Sequence, residues 1–392
     1  MFNNFLPILS SAYTQRIYPL GVGVVCLLTC FLLAGCTNDG NSNQAIEADC
    51  WAEVPAPSLT TQDVEIGGIA AVSPDDIWTV GHQINPDGSS KTLTLHWDGK
   101  EWSIVPSPNE AGGAHGKNHL YAVAARAPDD VWAVGAYSIT AGNFRNVAMH
   151  WNGKEWRLVE TPSPGLLENG LNDVDILAPN DVWAVGTGIS DEAHDPHMTI
   201  LHWDGISWKQ VPQPEHSSHN LLAVKALSKH DIWAAGTDVL HWDGHEWHIE
   251  ATTAGELGGY FDGIAATGPD DVWITGNDGN EAVAIHWDGK AWSGGNTPKL
   301  MDGPFPHDID AVGPHSVWIA GEYSDDPSRS LPMLLRWDGS AWRLVANPIA
   351  GRSARLQGLT VADGTLWAAG SQRDSQGTRL LFLRRSSLDV CP

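Results

Sequence analysis

The sequence predicts an all-β chain closed into a seven-bladed β-propeller of four-stranded antiparallel blades. Three observations carry that expectation: a sevenfold internal repeat, tight-turn signatures inside the repeats, and a tryptophan count that balances only if the two chain ends share one sheet. The repeat reads DDIWTVG at Trp78, DDVWAVG at Trp132, NDVWAVG at Trp183, HDIWAAG at Trp233, DDVWITG at Trp273, HSVWIAG at Trp318 and GTLWAAG at Trp367. Its spacing averages about 48 residues, the range of propeller blades and longer than any leucine-rich or ankyrin unit.

A second signature follows in six of the seven units: LHWDGKEW, MHWNGKEW, LHWDGISW, LHWDGHEW, IHWDGKAW and LRWDGSAW. Asp-Gly or Asn-Gly between apolar runs is a strong hairpin signal, and a type I′ turn is the expected geometry. Each unit then reads as four short strands. Around Trp132 these are LYAVAA from Leu120, VWAVG, NVAMHW and EWRLV, with tight turns APDD and WNG joining the first pair and the last pair. Proline pre-sets such turns and aspartate bonds neighbouring amides, so these acids read as turn formers. Helical periodicity is absent throughout.

The 20 tryptophans decide how the units assemble. Seven lie in the VWAVG strands, six in the WDG turns, and seven head the fourth strands if Trp51 is included. The last unit lacks WDGxxW, whereas CWAEVPAP at Cys50 matches EWSIVPSP at Trp102. An N-terminal strand completing the last blade supplies the missing piece and removes exposed edges. It also brings Cys50 near Cys391, and a disulfide between them would close a loop of about 340 residues, worth up to about 5 kcal/mol. The repeats resemble the WDGxxW propeller repeats of bacterial surface proteins and lipoproteins, and more distantly Asp-box, kelch-like and photosystem-assembly propellers. The order here is Asp-Gly-x-x-Trp where the Asp-box has Asp-x-Gly-x-x-Trp, and no sialidase-type arginine triad is present. The resemblance implies the fold and lends little to any activity.

Residues 1–35 contain one charged side chain, Arg16, and the apolar run GVGVVCLLTCFLLAG, the layout of a secretory signal. That run of about 15 residues falls short of the roughly 20 needed to span a bilayer. Leu32-Leu33-Ala34-Gly35-Cys36 resembles the lipobox of bacterial lipoproteins. The resemblance implies cleavage before Cys36, palmitate-type acylation of its sulfur, and a lipid anchor in the cell envelope. The residues that follow, Thr37 and Asn38, carry no Asp retention signal, which favours the outer membrane in a diderm. The expected organisation is a signal peptide over 1–35, lipidated Cys36 with a polar tether over 36–49, and the propeller over 50–392.

Composition excludes other classes. With 42% hydrophobic residues, 41 Gly and 24 Pro, the chain is neither disordered nor collagen-like. A formal charge of −25 without a basic cluster argues against nucleic acid and against an anionic-membrane-binding face. Recognition is expected on the rim that carries the irregular loops, because loops on a rigid scaffold carry function. The five histidines that precede the hairpin tryptophan, His96, His150, His202, His241 and His286, recur at one blade position and read as structural. Others fall on the variable rim: His115, His119, His194, His197, His216, His219 and His307, with Asp195 and Asp308 beside them. Imidazole beside carboxylate suits a divalent metal, but the spacings match no strong ligand motif, so no metal and no cofactor is assigned. At the channel-facing starts of the first strands lie Glu65, His119, Asn172, Asp173, Tyr260, Asp262, His307, Asp308, Arg355 and Gln357. The expected function is a non-enzymatic, monomeric scaffold for an envelope protein or glycan. The alternative is a polysaccharide hydrolase or lyase with its site at the central channel mouth, drawing an acid/base pair from Asp173, Asp262 and Asp308.

Overall fold

The computed structural model describes residues 50–59, 63–110, 116–140, 142–189, 196–214, 220–252, 260–295, 297–300, 302–326, 329–349, 351–375 and 377–385. Within them 28 strands, β1 to β28 in chain order, form seven four-stranded antiparallel sheets. Blade 1 consists of β2 (Asp63–Ser73), β3 (Asp76–Ile84), β4 (Ser90–Trp97) and β5 (Trp102–Val105), running from the channel outwards. The inner strands of blades 2 to 7 are β6 (Asn118–Ala127), β10 (Leu167–Ala178), β14 (Leu221–Ser228), β18 (Tyr260–Gly268), β22 (Asp302–Gly313) and β26 (Ala354–Ala362). Each inner strand packs on the next, and β26 returns onto β2, which closes the ring.

The closure is the expected one. The N-terminal strand β1 (Ala52–Val54) is the outermost strand of blade 7, paired with β28 (Gly377–Arg385) so that Ala52 faces Arg384 and Val54 faces Phe382. Trp51 sits where the other blades carry their fourth-strand tryptophan, buried edge-on against Trp318 with centroids 5.7 Å apart.

The core lies between blades, and tryptophan builds it. The VWAVG tryptophan of each blade is 4% exposed or less. It packs against the hairpin pair of the next blade: Trp78 meets Trp151 at 4.9 Å and Trp156 at 5.4 Å, and Trp132 meets Trp203 and Trp208 likewise. Trp367 of blade 7 closes the belt on Trp97 and Trp102 of blade 1. Edge-to-face aromatic pairs add about 0.5–1.5 kcal/mol each beyond the burial of area. Blade 7 has no hairpin tryptophan; Arg385 takes its register position and lies 5.2 Å over the Trp318 ring.

The five recurrent histidines are structural, within their own blades. Each ring lies over the blade's own tryptophan, as His96 does on Trp78 at 4.5 Å, while its Nε2 meets an aspartate Oδ1 two residues before that tryptophan. The pairs are His96 with Asp76, His150 with Asp130, His202 with Asp181, His241 with Asp231 and His286 with Asp271, all at 2.7–2.9 Å. The second acid of the strand-joining turn therefore anchors a histidine as well as shaping the turn.

The WDG turn differs from the expected type I′ geometry. Trp97 pairs with Trp102, so the loop holds four residues, and Gly99 has φ +89° while Asp98 does not enter the left-handed region. The Asp98 carboxylate accepts the amides of Lys100 and Glu101 at 2.9 and 3.0 Å, which stabilises a longer loop with one left-handed residue. A two-residue turn with both centres left-handed occurs instead at Asp363-Gly364, φ +47° and +76°, between Ala362 and Thr365. Both tight turns of a blade share one rim and touch: Trp151 Nε1 donates to the Pro128 carbonyl, and a Cβ on Gly153 would meet that of Asp129.

Candidate functional site

The opposite rim carries the variable loops, and the inner strands descend from it into the channel. Every inner strand has a β-bulge at the same level, at Gly67, Tyr121, Asn172, Leu222, Asp262, His307 and Gln357. The bulge is what the repeat glycine serves. A side chain on Gly81, Gly135, Gly186, Gly236, Gly276, Gly321 or Gly370 would collide with the carbonyl of the inner-strand residue two before the bulge. Those residues, Glu65, His119, Gly170, Asn220, Tyr260, Phe305 and Arg355, form the row at the mouth. Just below the bulges follow Gly68, Ala122, Asp173, Ala223, Gly263, Asp308 and Gly358. No two blades present the same three residues.

Across blades 6, 7, 1 and 2 the mouth is a run of polar contacts. His307 Nε2 lies 3.5 Å from Glu322 Oε1. Arg355 Nη2 lies 3.5 Å from Glu65 Oε1, whose other oxygen is 3.5 Å from His82 Nε2. The His82 ring stacks on His119 at 3.9 Å, and His119 Nδ1 is 3.3 Å from the Tyr121 hydroxyl. Burial drives His82 down to about 4, helped by the charges of Lys117 and Arg355, and His119 down to about 3, helped by His82 and Lys117. Both imidazoles are thus neutral at physiological pH. Burial also raises the Tyr121 phenol, and against burial's upward push His307, Ser330 and Arg355 hold the Glu322 carboxyl below its usual range.

Deeper, blades 3 and 6 use their carboxylates to join blades. Asp173 accepts the amide of Val174 on one oxygen and that of Val224, in the next blade, on the other, both at 2.8 Å. Asp308 does the same with Ile309 and Leu359, at 2.8 and 2.7 Å. Two residues further down, Asp175 and Asp310 repeat the arrangement with Ala226 and Val361, each at 2.9 Å across the seam. In blades 1, 5 and 7 the Asp173 position is glycine, and the neighbouring backbone fills the space: a Cβ on Gly358 would meet the Ile69 amide nitrogen at 3.0 Å. Burial pushes Asp173 up to about 7 and Asp308 up to about 8 against the pull of these amides. The charge of Asp173 adds to the upward push on Asp308. Lys225 lies 3.4 Å from Asp175, whose charge raises its ammonium pKa.

These contacts sort the sequence-derived candidates. His119, Tyr260, Asp262 and His307 lie at or just below the mouth. Asp173 and Asp308 lie deeper, each with both oxygens engaged by backbone amides, so the acid/base pairing drawn from Asp173, Asp262 and Asp308 reduces to Asp262. Burial raises the Asp262 carboxyl to about 7, with His307 opposing, and among the described residues no hydrogen-bond donor reaches it. His197 belongs to the third strand of blade 3, opposite Gly188, with its ring in the space a Cβ there would take. Cys36, His115, His194, Asp195, His216, His219 and Cys391 lie outside the described residues. Among the described residues no three His, Cys, Asp or Glu side chains converge as a metal-ligand set. Sequence reasoning passed over His82 and Glu322, which directly follow the repeat glycine where other blades have Ala136, Thr187, Thr237, Asn277 and Ser371. It also missed Asp175 and Asp310, whose signal is an Asp-x-Asp present in the first strands of blades 3 and 6.

Apolar groups accompany the polar mouth. Tyr260 and Phe305, in equivalent places on adjacent blades, are 41% and 49% exposed, and Leu166, just before the inner strand of blade 3, is 61% exposed.

No protein-family model matches the chain, and no curated protein matches it. Solved structures do. A YCF48 bound to D1 peptide aligns over 89% of this chain and 99% of its own at 14% identity and a TM-score of 0.57. YCF48 from Cyanidioschyzon merolae aligns over 87% and 99% at 16% identity and 0.53. A streptogramin B lyase aligns over 85% and 96% at 13% identity and 0.57. At such identities the likeness speaks to architecture alone, and with the seven closed sheets it establishes that the chain is a seven-bladed β-propeller.

Proposed function

We propose that this protein is a lipid-anchored, non-enzymatic binding propeller of the bacterial cell envelope that holds a protein or glycan partner on its variable rim. The observation that carries the reading is the division of labour in the channel. The scaffold repeats, the mouth does not, and the exposed aromatics sit on the rim where the loops vary. Asp173 and Asp308, the acids otherwise available for catalysis, are engaged in holding blades together. The fold's occurrence in a protein solved with a bound peptide adds to the case for a protein partner.

Anchoring rests on the lipobox at Cys36. Cys36→Ala should abolish palmitate labelling and release the protein from the membrane fraction; retention of both would remove the anchor from the reading. The reading includes a disulfide between Cys50, which adjoins the strand that pairs with β28, and Cys391. The binding reading is tested by crosslinking the full-length protein in its native envelope. One specific partner, lost in the Tyr260→Ala, Phe305→Ala double variant, is expected, and a crosslinking pattern unchanged by that variant would overturn it. Asp262 favours the second reading, a polysaccharide hydrolase or lyase: a carboxyl raised to about 7 beside His307 suits a general acid. That reading requires turnover that disappears in Asp262→Asn with the fold intact.

A further inference from the structure

Tyr260 and Phe305 are the two exposed large aromatic side chains among the described residues, and they occupy equivalent mouth positions on adjacent blades. Asp262 is the bulge residue two below Tyr260, and His307 is the bulge residue of the adjoining blade. The Asp262 carboxyl is half-buried and receives no hydrogen bond from the described residues. Two channel cations are committed elsewhere: Arg355 lies against Glu65 and donates to Ser371, and Lys225 pairs with Asp175. Blades 5 and 6 therefore offer two exposed rings one level above a carboxyl to which no described side chain donates a hydrogen bond. A half-buried carboxyl to which no protein group donates is free to take a hydrogen bond from a ligand, and charge-assisted bonds are the stronger kind.

We infer that the mouth between blades 5 and 6 binds a basic side chain, lysine or arginine, projecting from an extended segment of a partner protein. This deepens the binding reading above and rests on it. A ring face and a carboxylate together are the chemistry that holds an organic cation, the ring through its quadrupole and the acid through charge-assisted hydrogen bonds. A hard divalent ion does not fit, because one carboxylate and two rings lack the oxygen ligands it needs. The exposed side chains on blades 3, 5 and 6 suit apolar residues flanking the basic one, which favours a peptide over a sugar. The formal charge of −25 also draws a basic partner towards the rim.

The test uses the full-length protein in detergent and a set of blocked, Leu-flanked peptides identical but for a central Arg, Lys, Gln or Glu, with glucosamine as a separate probe. Titration calorimetry should show the Arg and Lys peptides binding at least about tenfold tighter than the Gln peptide. Asp262→Asn should erase that preference while leaving the thermal midpoint in place, and Tyr260→Ala with Phe305→Ala should weaken the basic peptides several-fold. Equal binding of the Arg and Gln peptides, or a preference that survives Asp262→Asn, overturns the inference and leaves the binding reading standing. Asp262-dependent binding of glucosamine with no peptide bound overturns the protein occupant. If no probe binds at all, both the inference and the protein-binding reading fall.

Discussion

The tryptophan belt between blades and the residues at the channel mouth sit on the same seven sheets, yet they follow opposite rules. In the belt each blade repeats its neighbour: a buried tryptophan, a hairpin tryptophan pair from the next blade in six of the seven seams, and in five blades an aspartate holding a histidine. At the mouth the seven positions are Glu65, His119, Gly170, Asn220, Tyr260, Phe305 and Arg355, without one repetition. A closed ring imposes the same packing problem seven times, so its solution recurs; a ligand poses its problem once. Sameness along the chain marks the scaffold, and difference at equivalent positions marks the recognition surface.

That contrast can be broken by substitution. Trp132→Ala removes a side chain 2% exposed and wedged against Trp203 and Trp208, and should cost about 3–5 kcal/mol in chemical denaturation. Gly276→Ala places a methyl against the Tyr260 carbonyl and should cost more than about 2 kcal/mol by the same measurement, because backbone must shift. Asp76→Ala leaves His96 without its partner and should cost about 1 kcal/mol, with Asp231→Ala matching it in the equivalent place. Tyr260→Ala at the mouth should fall within about 0.5 kcal/mol of the parent. A mouth substitution as damaging as Trp132→Ala would erase the distinction.

The pH dependence sharpens it further. Asp173 and Asp308 have folded pKa values of about 7 and 8, above the ordinary aspartate value of 3.8, so the folded state holds protons that the unfolded state has released. Their linkage makes stability fall as pH rises from about 4 towards 8. His82 and His119, lowered from 6.5 to about 4 and 3, act oppositely: their contribution is complete above 6.5 and is lost as pH falls towards those values. The two opposing slopes overlap below 6.5. Between pH 6.5 and 8 the channel carboxyls act without them, and the thermal midpoint should decline; a midpoint rising over that interval would contradict the upward shift of Asp173 and Asp308.

Much of this was readable from residue order. The blade count, the four-strand unit and the closing strand followed from the spacing and number of tryptophans, because large buried rings at fixed intervals leave few ways to pack. The histidine pairing was also present in the letters: the two blades without His before the hairpin position, with Arg336 and Arg384 there, also lack the aspartate, having Ser316 and Thr365. The bulges were not legible, since a one-residue insertion in a strand leaves no compositional trace; the glycine beneath each became intelligible only through the carbonyl it accommodates. For the same reason Asp173 read as a channel acid, when the amide it holds belongs to a strand 51 residues away.

The membership of blade 7 has a consequence for biosynthesis. Its outermost strand is made before the other six blades and its remaining three after them, so a ribosome must deliver all of those blades before that sheet can exist. Until then Trp318 lacks Trp51 as its neighbour and the β28 partner surface is unmade. A chain truncated before β28 therefore leaves β1 without its pairing strand, which ties a finished ring to synthesis of all 28 strands.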